Sequence, residues 1–207
     1  MGMYTEHILP RCIDLAMSRP MFEAARARAT RDLLGDVLEV GFGSGLNLPH
    51  YPHTVTKVYA VDPSLTGRRL AKERLAACPI RVEWAGLDGQ RIELPDASVD
   101  TVLSTFTLCT IPDLSTALRE LLRVLKPGGK LHFVEHGRSP DARVARLQNW
   151  LDPIRRPFVG GCHLNRPIAD AIRDAGFCLD RLHNYYLPVP KVSGYIYEGR
   201  ACRCAKR

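Results

Sequence analysis

The sequence predicts an α/β fold: a mostly parallel sheet with helices on both faces and a helical segment ahead of it. Three observations predict it. Between residues 35 and 136, short apolar and β-branched runs alternate with helical patterns, the rhythm of strand–helix–strand units. The first run, Val37 to Val40, passes directly into glycines at alternate positions, Gly41, Gly43 and Gly45. A glycine turn after a buried strand lets a nucleotide-like ligand lie against bare main chain at the carboxyl end of a parallel sheet. The chain closes with two strand-like runs, Cys178 to Leu187 and Ser193 to Cys202, which read as an antiparallel pair.

Composition bounds the answer. A chain of 207 residues suits one domain with a sizeable core, and 45% hydrophobic with 25% charged residues is ordinary for a globular protein. No run approaches the roughly 18 apolar residues of a membrane span. Residues Met1 to His7 show no signal-peptide pattern. Seven scattered cysteines do not suggest a disulfide framework, so a reducing, cytoplasmic setting is expected. Cys202 and Cys204 form the one close pair and lack a second pair at metal spacing, so no metal is expected. The net charge is +7, with arginines crowded between Arg19 and Arg31 and between Arg138 and Arg156. These are read either as solvated helix faces or as a peripheral attraction to anionic membrane or an acidic substrate. Aromatic residues are not interleaved with them, so no nucleic acid is expected as a partner. Monomer and dimer both stay open.

Ile8, Leu9, Cys12, Ile13, Ala16 and Met17 fall at helical spacing. Pro20 suits the first turn of a second helix running to Leu34, with Gly35 ending it. This segment is expected to cap the ligand cleft, packing on the sheet being the alternative. Asn47 to Tyr51, held by prolines, is a short helical turn. Lys57 to Asp62 is the second strand, and a helix from Leu65 to Cys78 is stopped by Pro79. Ile80 to Trp84 and Val99 to Thr105 are strands three and four. Asp113 caps a helix to Leu125, and Lys126-Pro-Gly-Gly-Lys130 is a stop and restart before the fifth strand, Leu131 to Glu135. Asp141 to Trp150 forms a basic helix. Leu151-Asp-Pro-Ile154 and Val159 to Arg166 read as a broken connection. Asn165 is expected to cap a helix that has Pro167 in its first turn and ends at Gly176.

The spacing at the glycine turn excludes a dinucleotide fingerprint. The sixth position is Leu46, and Pro49 and Pro52 prevent a long helix from starting there. Glu39-x-Gly41-x-Gly43-x-Gly45 instead resembles motif I of the class I methyltransferases that use S-adenosylmethionine (SAM). Asp62, 21 residues after Gly41, stands where a carboxylate accepts from both ribose hydroxyls. A turn aspartate or helix cap is the alternative. Asp88, seven positions before Pro95, resembles the family's adenine-loop aspartate, and Leu125-Lys-Pro-Gly-Gly129 resembles the family's segment before strand five. These features cover about residues 35 to 136. They imply a Rossmann-like, seven-stranded methyltransferase domain over 1–207, made of a helical cap (1–34), a cofactor-binding core (35–136) and a substrate-directing remainder (137–207).

By this resemblance Glu39, Gly41, Phe42, Gly43, Ser44, Gly45 and Asn47 hold the methionine end of SAM. Asp62, Pro63 and Ser64 hold the ribose, and Leu87, Asp88 and Gly89 hold the adenine. Thr105 and Phe106 lie where cofactor and acceptor meet. S-adenosylhomocysteine (SAH) is the implied product. Phe106-Thr-Leu-Cys109, Phe133-Val-Glu-His136, Leu151-Asp-Pro153 and Gly161-Cys-His-Leu-Asn-Arg166 further resemble the methyltransferase-like seven group, membrane-associated animal enzymes that methylate small alkyl thiols. Bacterial phospholipid N-methyltransferases share the same core. The resemblance therefore implies a small-molecule acceptor, first a thiol, with phosphatidylethanolamine or SAM binding without turnover as alternatives.

A thiol with pKa near about 8.5 is only a few per cent thiolate at neutral pH, so a base would help. His136, ending strand five at the cleft, is the first candidate, a backbone-bonded structural histidine being the alternative. Glu135 is a candidate to orient it, although side chains alternate along a strand. His163, on the substrate loop, is the second candidate base, loop packing being its alternative. Cys109 reads as a small buried residue near the acceptor, and Tyr4, His7 and the first helix as elements that close the site.

Overall fold

The structure, a computed structural model, describes residues 3–204. A five-residue π-helical turn, Tyr4–Ile8, leads into α1 (Leu9–Met17) and α2 (Pro20–Thr30). There follow β1 (Gly35–Val40), β2 (Val55–Val61), α3 (Leu65–Leu70), α4 (Lys72–Ala77), β3 (Arg81–Trp84) and β4 (Val99–Thr105). The second half is α5 (Leu114–Val124), β5 (Leu125–His136), α6 (Ala142–Arg155), α7 (Ile168–Asp174), β6 (Phe177–Tyr186), α8 (Lys191–Gly194) and β7 (Tyr195–Arg203).

The seven strands form one sheet in the order β3-β2-β1-β4-β5-β7-β6. The first five are parallel, and β7 runs antiparallel between β5 and β6. Central strands of such a sheet are covered on both faces and so are apolar throughout. In β1, Val37, Leu38, Glu39 and Val40 are all buried. Neighbouring residues point to opposite faces. Leu38 and Val40 join the cluster with Leu118, Leu121 and Ile172 of α5 and α7, and Val37 joins the cluster with Ala25 and Ala29 of α2. Truncating a fully buried leucine such as Leu121 to alanine costs about 2–5 kcal/mol. β1 is flanked by β2 on one side and β4 on the other, so the order reverses there. A ligand crevice opens beyond the carboxyl ends of strands at such a reversal.

Side-chain caps start the helices that frame the crevice. Ser64 Oγ accepts from Gly67 N at 2.9 Å, Asp113 Oδ1 from Thr116 N at 3.0 Å, and Asp141 Oδ1 from Arg143 N at 2.8 Å. Such a cap contributes about 1 kcal/mol.

The structure departs from the sequence-based expectations in six places. β5 begins at Leu125, not Leu131, because Leu125 already pairs with Val99 and the expected break over Lys126–Gly129 is a register shift before Lys130 pairs with Thr101. α2 ends at Thr30, and Gly35 opens β1 instead of closing the helix. The helix expected over 65–78 is two pieces meeting at Ala71. α6 continues through Pro153 to Arg155, because a proline near the end of a helix removes one backbone donor while Asp152 stays buried against the neighbouring loop. Asn165 does not cap α7. Its Nδ2 donates to Asn149 Oδ1 at 3.0 Å, and Pro167 stands at the cap position. Cys178 and Cys204 form a disulfide, where none was expected. The antiparallel pairing of β6 and β7 brings the two chain-distant sulfurs together, and no spacing rule could reveal it.

Candidate active site

Unpartnered buried polar atoms are rare, and each asks for an explanation. Around the crevice, Arg26 (Nε and Nη1), Asn47 (Oδ1) and His136 (Nε2) are among the residues whose buried polar atoms have no hydrogen-bond partner within the described residues, as are Arg68 (Nε) and Arg155 (Nη1).

The first two lie at the glycine turn. Gly41 has no room for a side chain, since a Cβ there would sit 1.9 Å from Thr107 Oγ1. Gly43, at φ +55°, is different: a Cβ would meet nothing nearer than Gly41 O at 3.9 Å, so the space above it is open. Glu39, buried at the end of β1, accepts from Asn47 Nδ2 at 2.6 Å and from the Tyr51 hydroxyl. Burial pushes its carboxyl up to about 7, against the lowering effect of Tyr51, Asn47 and the Arg26 charge. Asn47 Nδ2 also donates to Thr105 Oγ1 at 2.9 Å, tying the turn to the end of β4.

Asp62 Oδ2 accepts from Gly43 N at 2.7 Å and Oδ1 from Ser64 N at 2.7 Å. Each oxygen keeps a second acceptor direction for an incoming hydroxyl. Burial raises its carboxyl, and the Ser64 and Gly43 amides oppose that. Pro63 is exposed beside it. Phe42 is buried against Trp84, ring centroids 5.3 Å apart, and Arg68 stacks on Trp84 at 3.8 Å. Asp88 accepts from Gln90 N at 2.8 Å and Gln90 Nε2 at 3.0 Å, forming a closed exposed loop with Leu87 outward and Gly89 buried. A Cβ on Gly89 would press on Val40 at 2.8 Å.

Sequence reasoning missed Arg26. The helix reads as a basic surface, yet Phe22, Ala25, Arg26, Ala29 and Leu33 share one face at helical spacing. On that face Arg26 is only 6% exposed. Burial lowers its pKa to about 10, with the Glu39 charge opposing. Its guanidinium lies 5.3 Å from the Phe106 ring, and Phe22 meets the same ring edge-on at 5.3 Å. Phe106 itself has φ +55°, a strained conformation for a bulky residue of the kind found at ligand clamps. Arg26 also lines a cleft of about 190 Å³ with Met17, Glu23, His50 and Arg74.

α1 connects the two ends of the crevice. Its Asp14 accepts from Ser44 Oγ at 2.5 Å and pairs with Arg74 at 3.0 Å. Its Leu9 would lie 3.5 Å from a Cβ on Gly160, and Tyr4 donates its hydroxyl to Phe158 O at 2.9 Å. His7 is exposed.

The far end holds the other candidates. Glu135 is buried and accepts from Ser104 Oγ at 2.7 Å, Thr107 N at 3.0 Å and Cys109 N at 3.2 Å. It anchors the segment after β4 instead of orienting His136, because alternate side chains of β5 point apart. Burial raises its carboxyl, and these hydrogen bonds oppose that. His163 Nδ1 sits 3.2 Å from Asp152, and its backbone N donates to Cys109 O at 2.9 Å. Burial lowers its pKa, and Asp152 opposes that. His163 thus braces α6 and the loop, while His136 Nδ1 is 3.4 Å from Cys162 Sγ, which is 3.5 Å from Cys109 Sγ. The Cys162 thiol is held well below its usual range, first by its hydrogen bond with Cys109 and then by His136, burial opposing both. Cys109 is pushed the other way by the same bond and by burial. In the sequence Cys162 is marked only by its place in the segment Gly161 to Arg166.

A family profile described as "Methyltransferase domain" matches residues 38–133. The chain belongs to the class I SAM-dependent methyltransferases, enzymes whose methyl donor is SAM. It is 34% identical over 151 residues to thiol S-methyltransferase TMT1B of Rattus norvegicus, covering 68% of this chain and 59% of that protein. It is 30% identical over 180 residues to thiol S-methyltransferase TMT1A of Homo sapiens, covering 78% and 70%. It is 34% identical over 133 residues to phosphatidylethanolamine N-methyltransferase of Cereibacter sphaeroides, covering 56% and 62%. The chain thus spans only about three fifths of the rat relative. The crystal structure of a putative methyltransferase from Bacillus halodurans shares the fold, with TM-score 0.68 at 17% identity over 86% of this chain and 95% of that one. Among the described residues no helix is long and apolar enough to cross a membrane.

The unpartnered atoms of Arg26 and Asn47 are of the kind that the cofactor's methionine end calls for. That group carries a carboxylate, which needs donors such as Arg26 Nε and Nη1, and an ammonium, which needs acceptors such as Asn47 Oδ1 and Glu39.

Proposed function

We propose that this enzyme methylates small thiols, with Arg26, Glu39, Asn47 and Asp62 holding SAM and His136 on the acceptor side. The observation that carries the reading is the extent of similarity: the match to the human thiol S-methyltransferase covers 78% of this chain, well beyond the residues of the common methyltransferase profile. SAM supplies an activated methyl on a sulfonium. The protein then has to hold an acceptor sulfur in line with it, a positioning effect worth up to roughly 7–11 kcal/mol. Glu135 supports this by fixing the backbone of Thr107 and Cys109 after β4, and His136 Nε2 is left free to meet the acceptor.

A second reading has its own observation. On α6 and just after it, Leu147, Trp150, Ile154 and Phe158 are exposed beside Arg143, Arg146 and Arg156. Apolar groups among arginines suit an anionic lipid surface and thus a phospholipid acceptor. The deciding assay uses labelled SAM with hydrogen sulfide, small alkyl thiols and phosphatidylethanolamine vesicles as acceptors. Transfer to thiols is expected. Transfer to vesicles alone would replace the thiol reading, and SAM binding without transfer to any acceptor would leave a cofactor-binding protein.

A further inference from the structure

Cys109 follows β4, His136 ends β5, and Cys162 lies on the loop between α6 and α7, yet their ligand atoms all fall within 4.8 Å of one another. The Sγ of Cys162 stands 3.5 Å from the Sγ of Cys109 and 3.4 Å from Nδ1 of His136. Tetrahedral zinc, with bonds of about 2.3 Å to sulfur and about 2.0–2.1 Å to nitrogen, holds two sulfurs roughly 3.8 Å apart and sulfur and nitrogen roughly 3.6 Å apart. Both separations here agree to within a few tenths of an ångström. We infer that Cys109, His136 and Cys162 bind one thiophilic cation, zinc or a metal of like preference, with three protein ligands and a fourth position open.

The chemistry of the donor set sets the choice of metal. Two sulfurs and an imidazole select zinc or copper(I) over magnesium, calcium or manganese, which prefer oxygen. Three protein ligands with an open position are the pattern of catalytic zinc, whereas structural zinc is closed by four. The scaffold holds the ligands in place beforehand. Cys109 N donates to the buried Glu135 carboxylate, Cys109 O accepts from His163 N at 2.9 Å, and Leu164 N donates to Asp152 at 2.6 Å. These bonds tie the Cys162 loop to both α6 and the segment after β4. His136 leads directly into Gly137, where a Cβ would sit 2.5 Å from Arg166 O, so this strand end is locked against the same loop.

The metal site stands on this geometry alone. Its use rests on the thiol reading. A thiol entering the open position releases its proton to solvent. Its sulfur then forms the new bond to the methyl carbon as the methyl–sulfonium bond breaks, and that electron pair stays on the cofactor sulfur, giving SAH. The thioether product is a weaker ligand than the thiolate and leaves.

The test is a titration of the full chain, prepared without air, with Co²⁺ and then Zn²⁺. One equivalent of Co²⁺ is expected to bind with thiolate-to-cobalt charge-transfer absorption and tetrahedral visible bands, and Zn²⁺ to displace it. Cys162→Ser, on a partly exposed loop, should weaken binding at least about 100-fold, whereas exposed Cys12→Ser should not. Cys109→Ser should act like Cys162→Ser, with circular dichroism checking its fold. No charge-transfer band in the parent chain, a band unaffected by Cys162→Ser, or a Cys109–Cys162 disulfide in the air-free protein would each overturn the site. A thiol-methylation assay on the same samples separates the two readings. Cobalt bound without thiol methylation leaves the metal site and sinks the thiol acceptor. Methylation with no metal bound does the reverse.

Discussion

The two ends of the crevice are built in different ways. The cofactor end is mostly local: Glu39, Gly41, Gly43, Asn47 and Tyr51 lie within one strand and its following turn, and Asn47 and Tyr51 both donate to Glu39. Arg26, Asp62, Thr105 and Asp14 join it from elsewhere. The acceptor end has no such local unit. Cys109, His136 and Cys162 belong to three segments, and buried Glu135 and Asp152 hold the backbone there without touching the sulfurs. One end is therefore a preformed polar socket with unpartnered atoms, proposed to take the zwitterionic end of SAM. The other is a sulfur and imidazole cluster whose chemistry depends on how three segments pack. Substitutions at the first should change cofactor binding, and those at the second should change turnover alone.

The largest effect expected is at Gly43. Valine there places a β-branched side chain at φ +55° and fills the open space above the turn, so SAH binding measured by calorimetry should fall below detection. Retained binding would break the assignment of the cofactor end. His136→Ala should lower kcat by roughly 100-fold or more, the scale of a lost acid–base or ligand group, while SAH affinity stays within about twofold. An equal loss of SAH affinity would erase the distinction between the two ends. Arg26→Ala removes the buried guanidinium proposed to face the carboxylate. It should weaken SAH by about 2–4 kcal/mol, roughly 30- to 1,000-fold, an effect read by titration.

The smallest effect is a pH dependence. Glu39 titrates near 7 in the folded chain because it is buried, with Tyr51, Asn47 and Arg26 lowering it and Asp62 raising it. Its raised pKa means that the folded chain without cofactor binds a proton more readily than the unfolded one between about 4.5 and about 7. Stability should therefore fall as pH rises through that window. A cofactor ammonium needs the ionised form, so SAH affinity should rise roughly tenfold between about pH 6 and about pH 8, and Glu39→Gln should flatten the rise. A flat profile in the parent chain would mean that Glu39 does not meet the ammonium.

Much of the sheet and of the glycine turn was legible because the signals are local. β4 occupies the residues expected from its apolar run, and Asp113 caps the following helix as its position suggests. Arg26 was less legible. It sits among surface arginines, and only the shared face with Phe22, Ala25 and Ala29 marks it as inward. Asn165 misled for the opposite reason: it stands where a cap belongs, but Asn149 of α6 competes successfully for its side chain.

By itself, then, the sequence determined the strand–helix alternation, the glycine turn, and Glu39 and Asp62 at the ends of β1 and β2. These follow from backbone preferences and from periodicities read within a few residues. Only the tertiary structure decided that Arg26 points inward, that Cys178 meets Cys204, that Glu135 serves the backbone after β4, and that two cysteines and a histidine gather at the acceptor end. Those contacts join residues far apart in the chain. They arise from strand order and helix packing, which no short stretch of sequence encodes.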